Sequence, residues 1–237
     1  MKVRGARECQ SCGSQWSYYE TGSIECPDCG SLRSVGIDER TEHTDSPVTL
    51  SLSPVVERID GDALAEVATD AADRCQEYVR KRGFVDAGDL KPLDATYVAA
   101  VELRYVASEL ARSMRVSEEE ELYFLSLLRG AEAGERPPPA EVPASLADAR
   151  GLATAAVVDA YRRDLVRYLD EQPDQIARTV LGRIVDHKKR IEALDGAVEV
   201  ATAETLLQAL VDLSHYAALD DEPALASAQE RLDSLSH

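Results

Sequence analysis

Hydrophobic and polar positions follow a helical period through most of the chain beyond residue 58. Apolar side chains recur every three or four residues, first at Leu64, Val67, Ala71, Cys75 and Tyr78. This spacing places them on one face of an α-helix. Similar stripes continue towards the end of the chain, with polar residues between them. The pattern predicts an antiparallel bundle of helices over residues 58–237.

Two local signals mark boundaries within the predicted bundle. Ser117 and Glu120 have the spacing of a capping box, in which each side chain accepts a hydrogen bond from the other residue's main chain at the start of a helix. Residues 134–143 read GERPPPAEVP, and a proline-rich stretch of this kind is stiff and extended. We therefore expect residues 133–144 to form a loop at which the bundle can divide into two halves.

The first 57 residues show a different, shorter period. Residues 14–20 (SQWSYYE) alternate in the manner of a strand, residues 24–25 return as a second strand, and residues 31–38 can form a third. Residues 48–53 (VTLSLS) also alternate strictly, which is typical of a strand with one buried face. The sequence predicts a small β unit over residues 1–42, followed by a linker over residues 43–57 that contains one further strand.

Four cysteines give this small unit its chemistry. Cys9 and Cys12 form one Cys-x-x-Cys pair, Cys26 and Cys29 form a second, and a glycine follows each pair. Four thiolates at this spacing suit a tetrahedral metal ion, and zinc is the metal that we predict. A unit of this size buries too little apolar surface to be stable alone, so metal binding must stabilise it. Iron is the alternative, because Cys-Pro-x-Cys-Gly also occurs in rubredoxin-like electron carriers.

The net charge is distributed unevenly along the chain. The formal charge is −18, from 44 acidic and 26 basic residues, and only five of the bases are lysines. This composition is typical of proteins adapted to molar salt, where acidic surfaces stay hydrated and their repulsion is screened. Residues 1–40 carry six acids and five bases, which leaves −17 on the remainder. A body with that charge repels nucleic acid.

No apolar run is long enough to cross a bilayer, and the N-terminus lacks the apolar segment of a signal peptide. The cysteine usage agrees with a reducing compartment. We therefore expect a cytoplasmic protein that has no contact with a membrane.

The cysteine knuckles and the aromatic residues between them resemble a transcription factor IIB-type zinc ribbon. The residues that carry this resemblance are Cys9, Cys12, Gly13, Trp16, Tyr18, Tyr19, Cys26, Pro27, Cys29 and Gly30. The whole chain is similar to haloarchaeal proteins that join such a ribbon to a helical C-terminal region. In transcription factor IIB the ribbon docks on RNA polymerase, so the resemblance implies a protein-docking module. That factor continues into basic cyclin-like repeats, whereas residues 60–237 here are acidic.

Three aromatic residues and one arginine are the candidates for contact with a partner. If residues 14–20 form a strand, Trp16 and Tyr18 share one face and Tyr19 lies on the other, so at least one ring should be exposed. Exposed aromatic residues beside Arg33 suit a protein partner. We predict that the ribbon binds a protein through Trp16, Tyr18 or Tyr19, with help from Arg33.

The function predicted from the sequence is a non-enzymatic zinc-ribbon docking module, related to transcription or to another nucleic-acid process. A rubredoxin-like iron redox protein is one alternative. An enzyme of unknown type within the helical bundle, with a structural ribbon, is another. The sequence contains no phosphate-binding loop, dinucleotide-binding glycine pattern or hydrolase nucleophile motif that would indicate a catalytic residue.

Overall fold

Two small antiparallel sheets form the N-terminal part of the computed structural model, which describes residues 1–235. The first sheet pairs β1 (Lys2–Arg4) with β5 (Arg40–Glu42), with Val3 opposite Thr41. The second has the central strand β2 (Ala6–Cys9) between β3 (Gln15–Ser17) and β4 (Ser34–Gly36). These strands place both ends of residues 1–42 side by side.

The aromatic segment 14–20 differs from the single predicted strand. It is a strand only as far as Ser17, and Tyr18–Thr21 form one helical turn, α1. The turn forms because the Ser17 hydroxyl accepts a hydrogen bond from the Glu20 N–H, at 3.4 Å, and because Gly22 adopts the left-handed conformation with φ 62°. Residues 24–25 form a bend instead of the predicted strand.

The predicted strand at residues 48–53 is also absent, although its alternation correctly indicates which side chains are buried. Leu50 and Leu52 lie in the core, with 5% and 0% of their surface exposed. In residues 1–235 no strand pairs with this segment. The Glu132 carboxylate accepts hydrogen bonds from the N–H groups of Leu52 and Ser53 instead. A short helix, α2 (Ser53–Val56), follows.

Long helices make up the rest of the described chain, and the predicted fold class is confirmed: a small β unit with a cysteine cluster, then a helical bundle. A two-stranded hairpin of β6 (Val85–Asp86) and β7 (Asp89–Leu90) interrupts the helices. Residues 236 and 237, the last two of the predicted bundle, lie outside the described residues. The helices are α3 (Leu64–Lys81), α4 (Ala95–Arg112), α5 (Glu118–Gly130), α6 (Ala147–Glu171), α7 (Gln175–Ala193), α8 (Val200–Leu219) and α9 (Glu222–Ser234).

Helix starts follow local capping chemistry. The Asp94 carboxylate accepts a hydrogen bond from the Tyr97 N–H at 2.7 Å and begins α4. The predicted capping box is present at α5, where the Ser117 N–H donates to Glu120 Oε2 at 2.7 Å and the Glu120 N–H donates to the Ser117 hydroxyl. Each such cap satisfies main-chain N–H groups that have no partner inside the helix.

The helical core is continuous before and after the proline-rich segment 133–144. The helix α4, which precedes the segment, packs directly on α6, which follows it. A buried ion network lies beneath this segment. Arg150 and Arg136 both bind the carboxylates of Glu102 and Glu204, with the shortest pairs at 2.8 Å. Where the chain divides into domains stays a prediction.

The segment after β5 attaches the small sheets to the bundle. The Thr44 hydroxyl donates a hydrogen bond to Asp164 Oδ2 on α6 at 2.6 Å, and the Phe84 N–H donates to the same oxygen at 2.8 Å. Asp164 is buried, so its carboxylate depends on these donors. One side chain of the bundle thus fixes the exit of the ribbon and the start of the β6–β7 hairpin.

Candidate metal centre

The two Cys-x-x-Cys segments fold as matching tight turns. The Gly13 N–H donates to the Cys9 carbonyl and the Gly30 N–H donates to the Cys26 carbonyl, each at 2.9 Å. Both glycines adopt positive φ, 81° for Gly13 and 68° for Gly30, a conformation that side chains with a Cβ rarely take. The glycine after each pair is therefore the residue that lets the turn close and bring its two sulfur atoms together.

The four sulfur atoms approach a tetrahedron. Cys9 Sγ lies 3.7 Å from Cys29 Sγ, Cys12 Sγ lies 3.6 Å from Cys26 Sγ, and all four lie within 4.8 Å of one another. A tetrahedral ion with metal–sulfur bonds of about 2.3 Å requires sulfur–sulfur distances of about 3.8 Å. Cys9 and Cys26 are buried, while Cys12 and Cys29 are exposed. The cluster is compatible with one bound metal ion.

The acidities of the thiols show why this cluster suits a cation. The main-chain N–H groups of Cys12 and Ser11 lower the pKa of Cys9 to about 6. The Ser31 N–H acts in the same direction on Cys29, but the neighbouring Cys12 sulfur, burial and the other thiols outweigh it and raise the pKa of Cys29 to about 12. The first thiol ionises easily and the last one resists, because negative charge accumulates among four close sulfur atoms. A bound cation would favour all four thiolates.

The predicted aromatic contact residues are all half-buried. The Trp16 indole N–H donates to the Ser23 carbonyl at 3.1 Å. The Tyr19 ring packs against His43, with ring centres 4.7 Å apart, and its hydroxyl bonds with that of Thr41. Tyr18 lies at the edge of the same His43 ring, at 6.2 Å. The structure therefore places these rings within the ribbon and at its junction with residues 41–43.

Three exposed apolar side chains of the ribbon lie on a different segment, residues 32–37. Arg33 is exposed, and beside it Leu32, Val35 and Ile37 have 67%, 40% and 48% of their surface exposed. Sequence reasoning missed these three apolar residues. The available signal was the alternation of Arg33, Val35 and Ile37, which places them on one face of β4 and its extension.

The described part of the bundle offers no comparable centre. Cys75 is buried, and burial raises the pKa of its thiol to about 12, so it behaves as a core residue. Within the described residues, no other group of three or more Cys, His, Asp or Glu side chains is arranged to hold a metal ion. The helices of residues 1–235 include none with the length and apolar character needed to cross a membrane.

A comparison with known protein families identifies the family of this chain. Residues 1–232 match the model of a family of unknown function (DUF7117), and the chain belongs to that family. No curated protein and no solved structure matches it.

Proposed function

We propose that this protein is a zinc-ribbon docking protein. Residues 1–42 hold one zinc ion through Cys9, Cys12, Cys26 and Cys29, and the same unit binds a protein partner. The observation that carries the proposal is the set of four sulfur atoms within 4.8 Å of one another. A closed set of four thiolates leaves no position for a water molecule, so the ion has a structural role instead of a catalytic one.

The docking role is supported by the exposed apolar segment around Arg33. The protein buries most of its large apolar side chains in one core, but three in this segment stay exposed: Leu32, Val35 and Ile37. Exposed apolar side chains beside an arginine suit a protein–protein contact. β4 is also an edge strand, because it pairs only with β2, and an edge can accept a further strand from a partner.

A protein suits this surface better than a nucleic acid does. Residues 1–40 are nearly neutral and the remaining residues carry −17, so a duplex near the ribbon would also face the acidic body. Apolar contacts, unlike phosphate contacts, do not weaken at high salt. The resemblance to a transcription factor IIB-type ribbon supports a partner from transcription or another nucleic-acid process. The helical body would serve as scaffold or second docking surface.

The metal is tested on purified full-length protein by elemental analysis and absorption spectroscopy. We expect about one zinc per chain and a colourless protein. Replacement Cys12→Ser or Cys26→Ser should abolish zinc retention. Coloured protein with stoichiometric iron would instead support the rubredoxin-like alternative, and full metal retention in both variants would contradict the assignment of the site.

The docking surface is tested by affinity capture from a native lysate at high salt, with mass spectrometry of the captured proteins. The variant Leu32→Ser/Ile37→Ser should lose a partner that the wild-type chain captures, and it should keep its zinc. Ile176→Ser is the matched control, because Ile176 is 51% exposed but lies on α7. Trp16→Ala and Tyr18→Ala test the predicted aromatic contacts. Equal capture by residues 43–237 alone would overturn the docking role of the ribbon.

A further inference from the structure

A basic cavity of about 570 Å³ lies between α3, α4 and α6, next to the start of the β6–β7 hairpin. Its wall includes the five arginines Arg80, Arg82, Arg104, Arg163 and Arg167. The one carboxylate in the wall belongs to Asp164. In a chain with a formal charge of −18, a concave surface with this excess of positive charge requires an explanation.

Three of these arginines have no ion-pair partner among the residues that the structure describes. Arg80, Arg104 and Arg163 lie within 4.0 Å of no described carboxylate, although acids outnumber bases in this protein. Arg104 stacks on the Tyr105 ring at 4.9 Å, and Arg163 Nε donates to the Asp159 main-chain carbonyl at 3.2 Å. Both interactions leave most guanidinium N–H groups available to a ligand.

Asp164 does not neutralise this cluster, because its oxygens already have partners. Oδ2 accepts hydrogen bonds from the Thr44 hydroxyl and the Phe84 N–H, and Oδ1 pairs with Arg167 at 3.2 Å. Arg82 is likewise bound to Asp45 and Asp94. The positive charge that faces the cavity therefore comes chiefly from the three unpaired arginines.

The hydroxyl of a tyrosine whose ring is buried provides a second, independent indication of a ligand. Tyr97 is only 2% exposed and lines the cavity, and its ring packs edge-on against Phe84 with ring centres 4.8 Å apart. Within residues 1–235, no group forms a hydrogen bond with its hydroxyl. Burial raises the pKa of Tyr97 to about 12, and the charges of Arg163 and Arg104 act in the opposite direction. The hydroxyl shares the cavity wall with these guanidinium groups, and with no partner among the described residues it is available to a ligand.

We propose that this cavity binds a small ligand through a phosphate or diphosphate group, with Arg80, Arg104, Arg163 and the Tyr97 hydroxyl as donors. Planar guanidinium groups form paired hydrogen bonds with phosphate oxygens. Three arginines and a hydroxyl offer more donors than the two oxygens of a carboxylate can accept. The net charge of −18 favours a compact anion over a long nucleic acid strand, whose further phosphates would be repelled by the rest of the protein.

The experiment is isothermal titration of the full-length, metal-loaded protein with inorganic pyrophosphate, in low-salt and in high-salt buffer. We expect saturable binding to one site per chain and a higher melting temperature in the presence of pyrophosphate. Arg104→Gln and Arg163→Gln should each weaken binding by about tenfold or more, which corresponds to about 1.4 kcal/mol or more. Tyr97→Phe should weaken it by about fivefold, since one neutral hydrogen bond is lost while the ring remains.

Arg129→Gln is the matched control, because Arg129 is exposed on α5, has no described ion pair and lies outside the cavity. It should leave the affinity unchanged, and melting curves of all variants establish that they are folded. Absence of binding by the folded wild-type protein, or equal losses in the Arg129 and Arg104 variants, would overturn the proposal. Tighter binding of a single-stranded oligonucleotide than of pyrophosphate, lost in the same variants, would overturn the small-ligand assignment and favour nucleic acid.

Discussion

Removal of Arg150 provides the most stringent test of how the bundle is held together. Its side chain is 2% exposed and lies between two acidic residues. Arg150 Nη2 donates to Glu204 Oε2 at 2.8 Å, and Nη1 donates to the Pro137 carbonyl at 3.0 Å and to the Tyr123 hydroxyl at 3.2 Å. The replacement Arg150→Met preserves much of the side-chain volume and removes the charge and all three hydrogen bonds.

The expected cost follows from what remains after the replacement. Arg136 still pairs with Glu102 at 2.8 Å and with Glu204 at 2.9 Å, so one cation is left to serve two carboxylates. Removal of one partner from a buried ion pair typically costs about 3–5 kcal/mol, because the other charge stays buried. Since Arg136 compensates in part, we expect the free energy of unfolding to fall by about 3 kcal/mol. For a chain of this length that corresponds to a melting temperature lower by about 6–12 °C.

The measurement is urea unfolding followed by far-ultraviolet circular dichroism, with the metal retained. Arg178→Met is the matched control, because Arg178 pairs with Asp170 at 2.8 Å on the surface. This variant should lower the free energy of unfolding by less than about 1 kcal/mol. The double variant Arg150→Met/Glu204→Gln should recover part of the loss, since it removes a carboxylate left without its partner. Equal effects of Arg150→Met and Arg178→Met would refute the view that this network stabilises the bundle more than a surface pair does.

Three further predictions concern the metal, salt and pH. Chelation of the metal should expose residues 8–40 to protease while the helical circular dichroism signal survives, because the small unit lacks a sizeable core of its own; simultaneous loss of the helical signal would contradict this. The melting temperature should rise from low to molar KCl as salt screens close carboxylates such as those of Glu118–Glu121, and a flat or falling series would count against adaptation to salt. Although burial raises the pKa of Glu204, the charge of Arg136, the hydrogen bonds from Arg150 and Gln208, and the charge of Arg150 lower it below its ordinary value of 4.5. Its contribution to stability is therefore present above about pH 4.5 and lost as the pH falls through the lowered pKa. The difference in unfolding free energy between wild type and Glu204→Gln should therefore shrink as the pH falls below about 4.5. A difference that stays constant would argue against stabilisation by the ionised Glu204 carboxylate.

The cysteine cluster was predictable because the geometry of each turn is set locally. Each Cys-x-x-Cys pair needs only its own turn, and the turn needs only the glycine that follows, so the spacing contains nearly all of the required information. Helix starts at Asp94 and Ser117 were predictable for the same reason, since a cap depends on residues two or three positions away.

The features that sequence reasoning missed depend on distant partners or on competing local bonds. β1 forms because residues 40–42 return beside it. Leu50 and Leu52 alternate with polar residues but pack on the helical core, where Glu132 binds the main chain in place of a neighbouring strand. Tyr18 leaves the strand pattern because the Ser17 cap favours a helical turn. The arginines of the basic cavity come from α3, α4 and α6, so no short sequence window could reveal that they share one wall.

The position of Asp164 has a thermodynamic consequence for the whole chain. This carboxylate forms part of the cavity wall and also holds Thr44, which lies just beyond the last strand of the ribbon. A ligand that favours one geometry of the Thr44–Asp164 hydrogen bond therefore changes both the cavity wall and the end of the ribbon. Coupling free energies are reciprocal, so a ribbon partner that changes the affinity of the cavity for an anion by some factor has its own affinity changed by the same factor. This hydrogen bond of 2.6 Å is thus one physical route by which the two proposed binding events would influence each other.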